Sequence, residues 1–225
     1  MYSYSSLKDY AQCPRLYYEK RIAKTVKFVQ SAAAAYGVRL HTAFEEYVRD
    51  GVALPDEFVK HEPLLQALLS QGGKPLCEHL MAVDGGMNAV PYYDPAIENP
   101  QAWEHNPAAH IGGAADLLTL HGSFAVYADY KSGKGAYPDL EQCELMSMLC
   151  MITYPHIEEV HSALLFVDAG KLIDKSYNRA DLESMWLKWN SKIARIEQSK
   201  RTGVWQERPN NLCGWCAVEK CPNHP

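Results

Sequence analysis

The stretch Ala125–Gly135, AVYADYKSGKG, decides the fold of this chain. It begins as an apolar run typical of a buried strand, and then places Asp129 and Lys131 two positions apart. Because side chains alternate along a strand with a period of two, both charged groups lie on the same face. Burying charges is costly unless they are paired, so the pair indicates either a salt bridge at a strand end or a reactive site.

A second carboxylate precedes this strand at a spacing that suits a hairpin. Asp116 ends the small-residue run IGGAAD thirteen positions before Asp129, and the segment LHGSF can turn the chain between them. Two paired strands would bring both carboxylates together, where they repel each other unless a divalent cation such as Mg²⁺ lies between them. With Lys131 to hold water or offset phosphate charge, the set indicates metal-dependent phosphodiester hydrolysis. The alternative is a structural salt bridge beside a turn.

Patterns on either side of these strands predict a mixed α/β fold. Ser5 or Ser6 can cap a helix that reaches about Cys13, and apolar residues at helical spacing predict a helix over 32–49. The segment PLLQALLS predicts a short helix. Four strand-like runs follow, which we expect to form an antiparallel meander: LCEHLMAV, AVPYY, HIGGAADLLTL and FAVYADYK.

The second half of the chain alternates helix and strand. LEQCELMSMLCMITY predicts a helix, and EEVHSALLFVD predicts a strand parallel to a neighbour because a helix intervenes. A long amphipathic helix then leads to a tail that starts at Gly203. We therefore expect a central mixed sheet flanked by helices, within one domain over 1–225 whose core covers about 30–202.

Composition adds few constraints on function. The chain has 225 residues, of which 47% are hydrophobic, enough for a sizeable core. Its net charge of −5 does not exclude a nucleic-acid enzyme, since clustered metal-binding carboxylates contribute to that sum. We see no signal-peptide pattern and no apolar run of membrane-spanning length, so we expect a cytoplasmic protein without a membrane partner.

The cysteines indicate a metal site in the C-terminal tail. Three of the seven cysteines, Cys213, Cys216 and Cys221, follow a C-x2-C-x4-C spacing. His224 would complete a local zinc site, whereas Cys13 would supply a fourth thiolate for a [4Fe-4S] cluster or for zinc. The residues alone leave these alternatives open. We expect Trp215 to cover the metal, and the other cysteines to be structural.

Taken in order, these segments resemble the PD-(D/E)XK nuclease superfamily. The resemblance is strongest to the RecB-like branch, which includes the AddB nuclease domain and the iron-sulfur nucleases of CRISPR adaptation, and it also allows a phage exonuclease. GVRLHTAFEEY, IGGAADLL and YADYKSGK resemble the three motifs of that branch. The resemblance implies a restriction-endonuclease-like core and a role for each motif residue: metal ligation by His41, Asp116, Asp129 and the backbone carbonyl of Tyr130, and catalysis by Lys131 with both aspartates.

The same resemblance extends to residues outside the three motifs. Gln142 matches a substrate-contacting position on the following helix, although Met146 stands where the family carries a tyrosine. Glu78 matches an acid on the preceding strand and is a candidate substrate contact. Lys134, which closely follows the catalytic lysine, is a further candidate for contact with substrate phosphate. Iron-sulfur members take one cysteine from an early CP segment and three from the tail, which implies a [4Fe-4S] cluster on Cys13, Cys213, Cys216 and Cys221, joining 1–22 to 203–225.

The expected function is therefore a Mg²⁺- or Mn²⁺-dependent DNA exonuclease. It would act on single strands or ends in recombination, repair or phage DNA metabolism, with a helicase or recombinase as a possible partner. Two alternatives differ in kind. One is a non-catalytic nucleic-acid-binding module with a zinc-bound cysteine tail, and the other uses the same metal site on a different phosphoester.

Overall fold

The computed structural model describes residues 1–26, 31–70, 72–97, 104–135 and 138–224. The chain divides into two compact units, one of Met1 with Gln30–Met185 and one of Tyr2–Val29 with Trp186–Pro225. The α-helices are α1 (Tyr4–Gln12), α2 (Pro14–Tyr17), α3 (Ala32–Asp50), α4 (Glu62–Leu69), α5 (Glu141–Thr153) and α6 (Leu182–Thr202). The strands are β1 (Pro75–Val83), β2 (Ala89–Val90), β3 (Ile111–His121), β4 (Phe124–Lys131), β5 (Glu159–Phe166) and β6 (Lys171–Asn178).

The first unit is built on one six-stranded sheet in the order β2-β1-β3-β4-β5-β6. Every neighbouring pair is antiparallel except β4 and β5, which are parallel and are joined through α5. The sheet is therefore mixed and flanked by helices, which confirms the predicted fold class. The parallel strand is also confirmed. The first four strands are antiparallel as predicted, but the meander was wrong, because β3 pairs with β1 while β2 lies at the edge beyond β1.

Strand β4 shows how the sheet separates two layers of helix. Asp129 and Lys131 hydrogen-bond or pair on the side of α5, where Gln142 lies. Ala128 and Tyr130 instead belong to the apolar cluster that α3 and α4 form with Phe58. This alternation follows from the two-residue period of the strand. Asp129 and Lys131 therefore lie at the end of β4 on the side of α5, whereas the ring of Tyr130 is buried on the side of α3.

One helix cap was predicted wrongly and one strand was missed. Ser3, not Ser5 or Ser6, caps α1, because the Ser3 and Ser6 side chains form a reciprocal capping box with each other's backbone N–H groups. Strand β6 was not predicted. As an edge strand with a single partner it buries only Tyr177, so KLIDKSYN lacks the apolar run or strict alternation of an internal strand.

The second unit contains α1, α2, most of α6 and the C-terminal tail. Aromatic side chains hold its parts together: Trp205 stacks on Tyr17 with ring centroids 5.8 Å apart, and the Tyr10 hydroxyl hydrogen-bonds Ser199 at 2.8 Å. Tyr2 is buried and hydrogen-bonds Glu197 on α6. Among the helices of the described ranges, none combines the length and apolarity needed to cross a bilayer.

Candidate functional site

Two acidic residues meet across β1 and β3. His79 pairs with Ala115 in the antiparallel register, which sets the adjacent residues Glu78 and Asp116 opposite each other. Glu78 has φ of +46°, a left-handed conformation that is rare for a residue with a Cβ atom. The regular pairing is interrupted at this point. Backbone strain of this kind is retained where the surroundings fix it, often at functional sites.

The hairpin of β3 and β4 adds a third acidic residue to the row. Leu117 pairs with Ala128, so the next positions, Asp116 and Asp129, are opposite each other. The predicted hairpin therefore forms with its turn at LHGSF. As a result, three carboxylates follow one another across three neighbouring strands.

A group of candidate metal ligands lies at this end of the sheet. His41, Glu78 and Asp116 each offer a ligand atom, and these atoms lie within 4.8 Å of one another. His41 Nδ1 is 3.4 Å from Asp116 Oδ2, and its Nε2 is 2.9 Å from the carbonyl oxygen of Tyr130. The backbone N–H of Tyr130 donates to Asp116 Oδ2 at 2.8 Å. Helix α3 thus places the predicted histidine beside one of the predicted aspartates and the predicted carbonyl.

The pKa values of three residues at this site are raised. Burial, together with the neighbouring Asp116 carboxylate, raises the pKa of Asp129 to about 6. Burial and the Asp116 carboxylate also raise the pKa of Glu78. The pKa of His41 is raised mainly by its hydrogen bond to Asp116. All three shifts favour proton uptake, so this arrangement would favour a bound cation that replaces those protons.

Lys131 belongs to a second group, which shares Asp129 with the row of carboxylates and includes Gln142 of α5. Its Nζ lies 2.5 Å from Asp129 Oδ2 and donates to Gln142 Oε1 at 3.0 Å. Gln142 Nε2 in turn donates to Asp129 Oδ1 at 2.6 Å. The closed ring of three side chains fixes the lysine and aspartate on the face that strand alternation predicted. The ring also includes the salt bridge between Asp129 and Lys131, which the alternative of a purely structural role predicts.

The donor set suits a hard divalent cation. Two carboxylates, an imidazole and a carbonyl oxygen are ligands that Mg²⁺ or Mn²⁺ accepts. Adjacent ligands of an octahedral ion with bonds of roughly 2.1 Å lie about 3 Å apart. The ligand atoms of His41, Glu78 and Asp116 lie within 4.8 Å of one another, so small side-chain movements would bring them to that separation. The residues present therefore fit such an ion.

Not every predicted site residue joins these groups. Lys134 is exposed and has no contact with them within the described chain. Asp129 is not a member of the ligand group of His41, Glu78 and Asp116 among the residues described. Met146 is buried, and its sulfur would lie 2.6 Å from a Cβ atom added to Gly113, so it packs α5 onto β3. It therefore fills the core rather than facing a substrate.

The second unit gathers the tail cysteines around one cavity. Cys13, Cys213, Cys216, Cys221 and His224 all line it. Backbone N–H groups approach two of the sulfurs: Arg208 N lies 3.4 Å from Cys13 Sγ, and Asn210 N lies 3.3 Å from Cys213 Sγ. Such donors stabilise thiolates. Four cysteines and a histidine suit a thiolate-bound metal group. Because Cys13 and His224 both line the cavity, the lining does not decide which of them is the fourth ligand.

The exposure of Trp215 and the separation of the ligand atoms in this cavity were not predicted from the sequence. Trp215 is 84% exposed and does not line the cavity, so the expectation that it covers the metal is wrong. Trp215 lies at the end of a short 3₁₀ turn, Cys213–Trp215, with its side chain exposed. Among the described residues, no three of the cavity's cysteine and histidine ligand atoms lie within 4.8 Å of one another. Zinc with Zn–S bonds of about 2.3 Å would hold its sulfurs roughly 3.8 Å apart.

Comparison with known proteins adds an independent result. The sequence profile of the PD-(D/E)XK nuclease superfamily matches residues 1–221. A candidate exonuclease from Eubacterium rectale has a similar solved structure, with a TM-score of 0.51 and 12% identity over 99% of this chain and 89% of that chain. The crystal structure of SSO0001 gives a TM-score of 0.42 and 13% identity over 97% of this chain and 86% of that chain. No curated protein matches the sequence.

Proposed function

Because this chain belongs to the PD-(D/E)XK nuclease superfamily, we propose that it is a Mg²⁺- or Mn²⁺-dependent deoxyribonuclease. The observation that carries the proposal is the position of the Asp129–Lys131 pair directly beside the ligand group of His41, Glu78 and Asp116. A cation-binding group next to a positioned lysine is what phosphodiester hydrolysis requires.

Each residue has a proposed role. His41, Asp116, Asp129 and the carbonyl of Tyr130 hold the ion, as the motif resemblance implies, and Glu78 joins them as a further ligand because of its distance to His41 and Asp116. The bound ion would supply Lewis-acid activation of water and of the scissile phosphate. Glu78 is thus reassigned from a substrate-contacting candidate to the metal site.

Lys131 and Gln142 act on the substrate side of the proposed site. The ammonium of Lys131 orients the attacking water or offsets charge on the phosphate, and Gln142 keeps it in place through their 3.0 Å hydrogen bond. The carboxylate of Asp129 holds the ammonium at 2.5 Å before substrate binds. Lys134, exposed and without a contact to either group, remains a candidate for a phosphate contact only.

The finer details of the proposal rest on the resemblance to the RecB-like branch. We propose exonucleolytic digestion of single strands or DNA ends, in the cytoplasm, in recombination, repair or phage DNA metabolism. A helicase or recombinase would supply the substrate strand. These details are separable from the nuclease activity itself.

We also propose that the cysteine cavity holds a [4Fe-4S] cluster on Cys13, Cys213, Cys216 and Cys221. The support is that all four line one cavity, and that within the described residues no three of their sulfur atoms lie as close together as the ligands of one zinc ion would. The cluster would supply a covalent link between distant segments of the chain, which constrains the unfolded ensemble.

Labelled single- and double-stranded DNA, incubated with Mn²⁺ or with chelator, tests the activity. We expect metal-dependent shortening of DNA by the natural chain. Lys131→Ala should lose cleavage by roughly 10²–10³-fold, the usual effect of removing one group that stabilises transition-state charge. DNA binding by this variant should persist.

Lys74→Ala is the matched control, because it removes the same charge from an exposed position of the first unit without breaking a described contact. If Lys131→Ala cleaves DNA as fast as the natural chain does, Lys131 has no catalytic role. Absence of metal-dependent shortening of any DNA would overturn the nuclease proposal and favour the non-catalytic binding module.

A further inference from the structure

A polar groove in the second unit is not explained by the proposed active site or by the cysteine cavity. It has a volume of about 370 Å³, within the usual range for ligand pockets. No carboxylate lines it, although the chain as a whole has a net charge of −5. Its polar lining consists of arginine, amide and hydroxyl side chains, including Tyr10, Arg195, Gln198, Thr202, Gln206 and Arg208.

The periodicity of two segments builds this groove. On α6, Arg195, Gln198, Ser199 and Thr202 fall at helical spacing and share one face. In the extended tail, Val204, Gln206 and Arg208 alternate and face the groove, while Trp205 stacks on Tyr17 instead. The Tyr10 hydroxyl ties the groove together through Ser199 Oγ at 2.8 Å and the Arg195 carbonyl at 3.0 Å. The groove is therefore a formed feature of the second unit.

Its cations are available to a ligand. Within the described residues, the guanidinium of Arg195 has no ion-pair or hydrogen-bond partner. Arg208 donates from Nη1 to the Ala11 carbonyl and forms no ion pair with a described carboxylate. An acid-free concavity with two guanidinium groups suits an anion, and guanidinium matches phosphate geometry well.

We propose that this groove binds the sugar-phosphate backbone of a single DNA strand. The inference rests on the proposed nuclease function and adds a substrate-holding surface to it. At about 370 Å³ the groove has room for part of one strand. Arg195 and Arg208 neutralise phosphates of that strand, while the two glutamines contact sugar or base edges without sequence preference. The N–H of Arg208 also bonds Cys13 Sγ, so the cysteine cavity fixes one wall of the groove.

Binding of a fluorescent oligonucleotide, measured with chelator present so that no cleavage occurs, tests the groove. One lost phosphate contact on a single strand should weaken binding by Arg195→Gln about fivefold near 0.1 M salt, and should reduce the slope of log K against log salt by about 0.7. Arg201→Gln is the matched control, because Arg201 is an exposed arginine on α6 outside the groove. We expect it to bind like the natural chain.

A second variant protects the test against misfolding. Gln198→Glu adds a carboxylate to the groove and should weaken binding at least as much, whereas thermal unfolding should stay unchanged in both variants. With Mn²⁺ present, Arg201→Gln should cleave DNA at the natural rate. RNA of the same sequence, run in parallel, reports whether the groove distinguishes the two backbones; binding of RNA alone would overturn the assignment to DNA.

The outcomes separate the two proposals. If the natural chain cleaves DNA, and Arg195→Gln binds the oligonucleotide as tightly as the natural chain, the groove assignment is wrong and the nuclease proposal stands. Equal weakening by Arg195→Gln and Arg201→Gln would indicate long-range charge rather than a groove, which also overturns it. If the natural chain neither binds nor cleaves DNA, the proposed function itself fails.

Discussion

Glu78 combines a strained backbone with a raised pKa and a position opposite Asp116. In the metal-free protein its charge repels neighbouring carboxylates, whereas with a bound ion it contributes a ligand. The two states therefore predict opposite effects for the removal of one charge.

We expect Glu78→Gln to raise the melting temperature slightly in chelator and to reduce the additional stabilisation by Mn²⁺. A tenfold loss of metal affinity removes about 1.4 kcal/mol of metal-dependent stabilisation when the metal is in excess. Thermal unfolding across a Mn²⁺ titration measures both effects. Glu46→Gln, at an exposed position on α3, is the control and should change neither. A Glu78→Gln variant with an unaltered Mn²⁺ response would exclude Glu78 as a ligand.

The sequence predicts some of this site and not the rest. Asp129 and Lys131 on one face follow from strand alternation, and Asp116 from the hairpin spacing. The partnership of Glu78 with Asp116 depends on the register of β1 with β3, which no local pattern of β1 defines. The grouping of Asp129 with Gln142 similarly depends on how α5 packs on the sheet.

The glycines around β4 have three different roles that sequence alone does not distinguish. Gly122, in the β3–β4 turn, has φ of +58° with open space around it. Gly135, after β4, has φ of +65°, and a Cβ atom there would lie 2.9 Å from the Phe166 ring. Gly133 has neither constraint. Of the two glycines that follow β4, only Gly135 is required both by its backbone conformation and by its close approach to Phe166.

Alanine at each position should separate these effects. Gly133→Ala should change the free energy of unfolding by less than about 1 kcal/mol, since it only reduces unfolded-state freedom. Gly122→Ala should cost about 1–2 kcal/mol for the left-handed conformation. Gly135→Ala should cost more, roughly 2–4 kcal/mol, because overpacking adds to the same strain. Urea denaturation gives the order; a Gly135→Ala variant as stable as Gly133→Ala would contradict the packing argument.

At the scale of elements, long apolar patterns were the reliable ones. The helix predicted over 32–49 appears as Ala32–Asp50, and the strand predicted parallel to a neighbour pairs with β4. Strand β6 was missed because hydrogen bonding to β5, rather than burial of its own side chains, stabilises it. The groove on α6 and the tail was missed for a related reason: each segment has a clear period, but their juxtaposition is a tertiary contact.

At the scale of the whole molecule, the cysteine cavity joins the two ends of the sequence. Cys13 precedes α2, and Cys221 lies near the last described residue. A cross-link that closes a loop of this size removes unfolded-chain entropy worth about 5 kcal/mol in the loop-closure model. A metal group on these thiolates would therefore contribute a substantial part of the stability of the second unit.

Cys13→Ala and His224→Ala distinguish the two possible metals. With a four-cysteine [4Fe-4S] cluster, anaerobically purified Cys13→Ala should lose iron and sulfide and unfold at a markedly lower temperature, while His224→Ala keeps both. With a local zinc site the pattern reverses, because His224 would then be the fourth ligand. Cys77→Ala, at a cysteine of the first unit, is the control and should retain its metal content. Stoichiometric zinc that is lost only in His224→Ala would overturn the iron-sulfur assignment and, with it, the link between residues 13 and 221.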